Sequence, residues 1–306
     1  MEFDFQYFLG ILFSGLTRGS IYALIALGYT MVYGIIGLIN FAHGEIYMLG
    51  AFMALIVAGI LGGVGLPWWG ILIIAALVAM VWSGAYGFTI EKVAYKPLRG
   101  ASRLAPLISA IGMSTFLQNY VQLAQTSNSV PFPRLIPRRF PPMFQELGNY
   151  MSPGDLILLV TSFLIMVALA LFIRYTKMGK AMRATAQNRK MAMLLGIDAD
   201  RIISLTFIIG SALAALGGTL IAARTGQVGF AIGFLAGMKA FTAAVLGGIG
   251  SIPGAMLGGL VLGLAEGFMA GYFSSDYEDV LAFVLLVLIL IFRPAGLLGK
   301  AAVQKV

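Results

Sequence analysis

Cysteine, histidine and charge are what this chain of 306 residues has least of: no cysteine, one histidine, and 10% charged residues. Without cysteine there is no disulfide, no thiolate metal site and no cysteine nucleophile. The single histidine, His43, cannot build a histidine-rich metal centre, and the pattern H-E-x-x-H is absent. The phosphate-cradling pattern G-x-x-x-x-G-K-[ST] is missing too, so no Walker-type nucleotide site is expected. A Ser/His/acid triad would have to use His43, and no spacing fixes such a geometry. No catalytic residue and no metal ligand is therefore assigned. The opening MEFDFQYF carries two acids and no basic region, so no cleavable signal peptide is expected.

What is abundant is apolar. Sixty per cent of the residues are hydrophobic and the mean hydropathy is +0.95, beyond the range of soluble globular domains. Apolar runs recur along the whole length, which predicts an all-α polytopic membrane protein of about eight to ten spans in one domain. The 39 glycines fit that class, because small residues let membrane helices approach closely. Nine spans are expected, at about 16–39, 46–62, 67–90, 104–123, 155–173, 203–223, 234–249, 254–272 and 280–292. Residues 3–15 are apolar but short, and Arg18 separates them from the first span; they are read as an interfacial helix or an extra span.

The formal charge of +8 does not point to nucleic acid, since fourteen of the twenty Lys/Arg fall in the loops at 91–103 and 174–201 and the tail from Arg293. By the positive-inside rule these segments are cytoplasmic. The stretch 124–152 holds five prolines and is expected to be an irregular external loop.

A repeat organises the chain more firmly than hydropathy does. Residues 16–54 align without gaps onto 205–243, and fifteen of the 39 positions are identical. ALIALGYT (23–30) overlays ALAALGGT (212–219), and FAHGEIYMLGAF (41–52) overlays FAIGFLAGMKAF (230–241). Five crossings separate the two copies, so they should be inverted, a common transporter architecture. The chain divides into a first half, 1–173, a polar segment, 174–201, and a second half, 202–306.

That polar segment carries seven Lys/Arg against two acids. No proline interrupts 178–195 and good helix formers dominate, predicting one amphipathic helix that stops at Gly196. Ala181, Ala184, Asn188, Ala192 and Leu195 would share a small-residue face; Lys180, Arg183, Gln187 and Lys190 a basic one. It reads either as a topology signal meeting anionic lipid or as a docking helix for a partner. Lipid-binding helices favour bulkier apolar residues than this face offers. Within the apolar runs, Lys239 and Glu266 form either a structural ion pair, part of a path or gate, or a proton relay. The polar break at 39–45, with Asn40, His43 and Glu45, is either an interfacial turn or a discontinuous helix beside a transport route.

GSIYALIALGYTMVYGIIGLINFAHGEIYMLGAF (19–52) and GMKAFTAAVLGGIGSIPGAMLGGLVLGLAE (237–266) closely resemble the permease subunits of bacterial branched-chain amino-acid ABC importers. So do AYKPLRGASRLAPLISAIGMSTFLQN (94–119) and IRYTKMGKAMRATAQNRKMAMLLGI (173–197), and the resemblance covers nearly the whole chain, looking most like the H-type subunit. It implies import of Leu, Ile and Val across the bacterial inner membrane. It also implies a second, M-type permease, a periplasmic amino-acid-binding protein, and two cytoplasmic ATPases that bind ATP and magnesium. The 178–197 segment would then be the coupling helix that docks on an ATPase, with Arg183, Ala184, Ala186, Asn188, Leu195 and Gly196 at the contact. It lacks the family's glutamate-alanine-alanine form, since Arg183-Ala184 precedes Thr185-Ala186. Asn40, His43, Glu45, Lys239 and Glu266 become candidates for the translocation path. The same family resemblance extends to urea and short-amide permeases; an ion-gradient transporter is the alternative from another class.

Overall fold

The structure is a computed structural model that describes residues 4–102 and 104–299. Among these, eleven α-helices carry almost all the regular structure: α1 Phe5–Ile36, α2 His43–Leu61, α3 Trp68–Ile90, α4 Leu104–Ala124, α5 Pro153–Tyr175, α6 Lys177–Gln187, α7 Arg189–Leu194, α8 Ala199–Thr225, α9 Ile232–Gly247, α10 Ile252–Tyr272 and α11 Glu278–Phe292. All but α6 and α7 lie on the nine expected spans. Six helices are long and apolar enough to cross a membrane: α1, α2, α3 with its extension to Leu98, α5, α8 and α10. α9 is a shorter apolar helix.

The N-terminal expectation needs correction. From Phe5 onward the stretch is the beginning of α1, neither a separate interfacial helix nor an extra span. Asp4 caps it, its carboxylate accepting from the N–H groups of Gln6 and Tyr7. Arg18 does not break the helix because Glu278, at the start of α11, takes its guanidinium at 2.6 Å. Thirty-two residues span about 48 Å, more than a bilayer core.

The halves are related as the sequence repeat predicts. α1 ends at Gly37 and α8 at Gly226, both left-handed caps with φ near 70°. These glycines stand at the same offset as 16–54 and 205–243, and so do Ala42 and Ala231, the residues before α2 and α9. α1 packs chiefly on α10 as α8 packs chiefly on α3, while α2 lies on α8 and α9 on α1. Gly28 of α1 sits against Gly210 of α8, but Gly217 lies beside Ile25, so the two helices run antiparallel. The repeat is inverted. Its pseudo-twofold axis passes between Gly44 and Gly233, equivalent residues whose backbones touch.

Glycine seams hold the bundle together. On α10, Gly259, Gly263, Gly267 and Gly271 recur one turn apart and meet Ala23, Gly19, Gly15 and Ile11 of α1. A Cβ on Gly263 would overlap the backbone of Gly19. In lipid, where no hydrophobic force draws helices together, such close van der Waals approach supplies much of the association.

The 124–152 loop is anchored at one point: Val130–Pro131 pairs antiparallel with Gln227–Val228 just beyond α8. Nearby, Arg224 pairs with Asp155 at the head of α5. The loops at 91–99 and 189–200 meet at the opposite end. The tail returns there too, Leu297 N–H donating to the Leu246 carbonyl at 2.8 Å; Lys300 and Lys305 lie outside the described residues.

Replacing Gly263 by Ala should lower stability by about 1–3 kcal/mol through overpacking. Gly112→Ala, where a Cβ meets nothing within 4 Å, should stabilise by about 0.5–1 kcal/mol. Thermal unfolding of the detergent-solubilised variants checks this, and equal shifts would show that the α1–α10 seam is not close-packed.

Candidate functional site

Three polar regions interrupt the apolar bundle, two of them where elements begin or end and one within the helices. The first is the 39–45 break. After Gly37 the chain folds back into the bundle, so that α2 starts at His43 in the interior rather than at an interface. Asn40, His43 and Glu45 are each 1% exposed. Asn40 Oδ1 accepts from the Ala42 N–H and from the Tyr95 hydroxyl, both at 3.1 Å, which fixes the turn. The His43 ring stands edge-on to Tyr29, with ring centroids 4.9 Å apart, in space left by Gly28 and Gly210.

Glu45 lies in the first turn of α2, where the helix dipole favours a carboxylate. Its Oε1 accepts from Ser114 of α4 at 3.1 Å. Its Oε2 faces Gly233 in the first turn of α9 and has no protein partner, nor has Nε2 of His43 or Nδ2 of Asn40. Beside them a cavity of about 110 Å³ lies under α4, lined by Tyr29, Phe41, Ser114, Gln118, Phe234 and Gly237 among others. Aromatic walls with hydroxyl and amide groups suit a small ligand that is apolar at one end. Of the sequence candidates, the structure brings together Asn40, His43 and Glu45 here.

Lys239 and Glu266 lie elsewhere, in a second cluster. Lys239 Nζ is 3.1 Å from Glu266 Oε1 and 2.6 Å from Asp279 Oδ1. The Tyr22 hydroxyl donates to Glu266 Oε2 at 2.6 Å. Helices α1, α9, α10 and α11 are thus tied by one network with buried charges, and Glu266 is fully buried.

The third region is the polar segment, and here the expected single helix is wrong. Asn188, at φ −159° and ψ 102°, breaks it into α6 and α7. The reason is local: the Asn188 side chain accepts from the Met191 N–H and caps a new helix, an alternative that asparagine offers the backbone readily. The small-residue face is lost with it. Ala192 is buried, as are Gly179, Met182 and Thr185, while Ala184 is half-buried. Arg183 points back, its Nη1 donating to the carbonyls of Ile173 (2.7 Å) and Arg174 (3.1 Å) at the end of α5. Ala186, Asn188, Leu195 and Gly196 are exposed. Gly196 has φ 81° and closes α7, with the Ile197 N–H donating to the Ala192 carbonyl at 3.0 Å. Met191, Met193, Leu194 and Leu195 make an exposed apolar tip; the two leucines are about 80% exposed.

Behind this tip stands a cluster that sequence reading missed. Asp200, in the first turn of α8, accepts from Arg189 Nη2 (2.8 Å) and Arg99 Nη1 (2.6 Å) and lies 3.3 Å from Lys96. Arg99 also pairs with Glu91, which is completely buried and accepts from Ser204 at 2.8 Å. Glu91–Tyr95 forms a π-helical turn. The loop 91–103 reads as a generic basic loop, and only its one acid, facing four bases, hinted at a buried partner.

A family model described as "Branched-chain amino acid transport system / permease component" matches residues 11–290. The chain is 51% identical to the high-affinity branched-chain amino acid transport system permease protein LivH of Escherichia coli strain K12, covering all of both chains. It is 53% identical to the corresponding permease protein BraD of Pseudomonas aeruginosa over 99% of each. Among solved structures, PsaBC from Streptococcus pneumoniae in complex with Fab matches with TM-score 0.48 at 13% identity, over 92% of this chain and 91% of that one. That likeness is too distant to carry function.

Glu266→Gln and Lys239→Met test the second cluster. Lys239→Met leaves the buried Glu266 without its counter-charge, and breaking a buried pair costs about 3–5 kcal/mol; Glu266→Gln leaves Lys239 on Asp279 and should cost less. The double variant should be more stable than the sum of the two losses predicts; strictly additive losses in thermal unfolding would refute the pairing.

Proposed function

The chain belongs to the branched-chain amino acid transport system permease family, and we propose that it is the membrane-spanning subunit of an ATP-driven importer of leucine, isoleucine and valine. The substrate comes from the names of relatives that share half of its residues over full length. Those names disfavour a urea or short-amide permease. An ion-gradient transporter is disfavoured by Lys239 and Glu266, which are occupied by each other, by Asp279 and by Tyr22. The cellular location that follows is the bacterial inner membrane, with the 91–103 loop, the 174–201 segment and the tail in the cytoplasm.

The observation that carries the coupling part of this reading is the apolar tip at 191–195. Four large apolar side chains stand exposed on a basic segment that is itself clamped to the bundle by Arg183, Arg189 and the buried Ala192. An apolar cap on a rigid base, flanked by Lys190 and Gly196, suits a groove on a cytoplasmic ATPase. Two such ATPases would bind ATP and magnesium, a second and related permease would complete the membrane unit, and a periplasmic binding protein would deliver the amino acid. ATP would bind the closed ATPase pair better than the open one and so shift the permease between inward- and outward-open states. α6 and α7 would be the levers. The two inverted halves would rock about the Gly44–Gly233 crossing.

Asn40, His43 and Glu45 are the path candidates the geometry supports best, since Ser114, which bonds Glu45, Tyr29, which packs on His43, and Phe41, next to Asn40, line the cavity under α4. The interior first turns of α2 and α9 offer unpaired N–H groups to a carboxylate, as broken helices do in other transporters. Lys239 and Glu266 fit a structural tie better than a path.

Leu195→Asp changes only an exposed side chain, so the protein should insert and unfold as the wild type does. Uptake and substrate-stimulated ATP hydrolysis by the reconstituted complex should both fall at least about tenfold, the 1.4 kcal/mol of a lost apolar contact. Normal transport by this variant would remove 191–195 from the contact. Accumulation of leucine on an ion gradient by the chain alone in proteoliposomes would overturn the ATP-driven reading.

A further inference from the structure

From the contacts around the π-helical turn we infer that Glu91–Arg99 is a transmission strut. It connects the ATPase-docking segment to the interior break at 39–45. The inference rests on the docking role proposed for α6 and α7 and adds a route by which their displacement reaches the membrane interior.

Every step of the route is a hydrogen bond or an ion pair. It starts at Arg189, the first residue of α7, whose guanidinium donates to Asp200 at 2.8 Å. Asp200 holds Arg99 at 2.6 Å, and Arg99 holds the buried Glu91. Glu91 begins the five-residue π turn that ends at Tyr95. Tyr95 is 1% exposed, and its hydroxyl donates to Asn40 Oδ1 at 3.1 Å. The same oxygen of Asn40 accepts the Ala42 N–H that precedes α2. Six side chains, two of them at the ends of the irregular turn, thus lead from the exposed docking tip to the start of an interior half-helix.

Three features make this more than adjacency. A carboxylate as buried as Glu91 is costly unless paired, so Arg99 cannot leave it cheaply, and motion of one carries the other. Asp200 joins three cations from two separate loops, Arg189 on one side and Arg99 with Lys96 on the other. Displacement of α7 therefore pulls on the 96–99 turn directly, not only through the chain. A π turn differs from an α turn by one residue of register, and such turns mark functional positions in helices. It is the segment that can change arrangement in a discrete step, as a coupling element requires. Ser204, donating to Glu91 at 2.8 Å, holds the present register against α8.

The test uses the full complex in proteoliposomes and reads leucine taken up per ATP hydrolysed. Glu91→Gln risks misfolding, so the probes are Arg189→Met and Tyr95→Phe, which remove a half-buried ion pair and a single hydroxyl. Each should lower the ratio between about twofold and thirtyfold, the range for residues that modulate coupling, while ATPase hydrolysis persists. Asp200→Glu should keep the ratio and Asp200→Asn should lose it. If the route is one, Arg189→Met with Tyr95→Phe is no worse than the poorer single variant. Multiplying losses would overturn the strut, because distant independent sites add. The chain has no cysteine, so Ala186→Cys crosslinking to the ATPase reports docking separately. A lost crosslink sinks the docking reading; an intact crosslink with multiplying losses sinks the strut alone.

Discussion

At Gly44 and Gly233 two helices begin in backbone contact in the interior of the bundle, and much of the architecture follows from that crossing. A Cβ on either residue would overlap the other's backbone. The first turns of helices carry N–H groups without intrahelical partners, and such groups cannot face hydrocarbon. They must be buried in protein and given polar neighbours. Glu45, Ser114 and Asn40 supply these, and Gly28 and Gly210 vacate the space that His43 fills. Inversion of the repeat then places the crossing on the pseudo-twofold axis, the position where rocking of one half against the other moves the backbone least.

The glycine seams serve the same constraint. α1 and α8 must hold both half-helices close to the axis, and each is braced from behind by its partner, α10 or α3. Small residues at one-turn spacing let α10 approach α1 to backbone contact between Gly15 and Ala23. Charge inside the bundle is sparing, and apart from Glu45 it closes into circuits. Arg18, Lys239, Glu266, Glu278 and Asp279 tie four helices near one end, and Glu91, Arg99, Asp200 and Arg189 tie three segments at the other.

The parts legible in the sequence were those written as period or repetition. Apolar runs gave the helices their places, and the ungapped alignment of 16–54 with 205–243 gave the inversion; the same alignment pairs Gly37 with Gly226, which the structure shows to be matching left-handed caps. What stayed hidden depends on a partner distant in the chain. Arg18 looked like a boundary because Glu278, which neutralises it, lies 260 residues away. Asn188 looked like a member of a helical face because composition cannot tell a tolerated asparagine from a capping one. Tyr95, inside a basic loop, gave no sign that its hydroxyl reaches Asn40. The cavity wall is assembled from α1, α4 and α9, which no local window contains.

One asymmetry between the halves bears on how the molecule works. The repeat makes Glu45 equivalent to Phe234 and Lys239 equivalent to Gly50, so each half carries a charge where the other has none. In the first half the charge sits at the start of the interior helix, one oxygen unsatisfied, beside a cavity. In the second it lies deeper along α9 and is closed by two carboxylates. An inverted pair with identical charges would bind alike from either direction. Here one half keeps an open polar group at the axis and the other spends its charge on anchoring α9 to α10 and α11. In the proposed transport cycle the first half would contact what passes, and the second would hold the frame against which it moves.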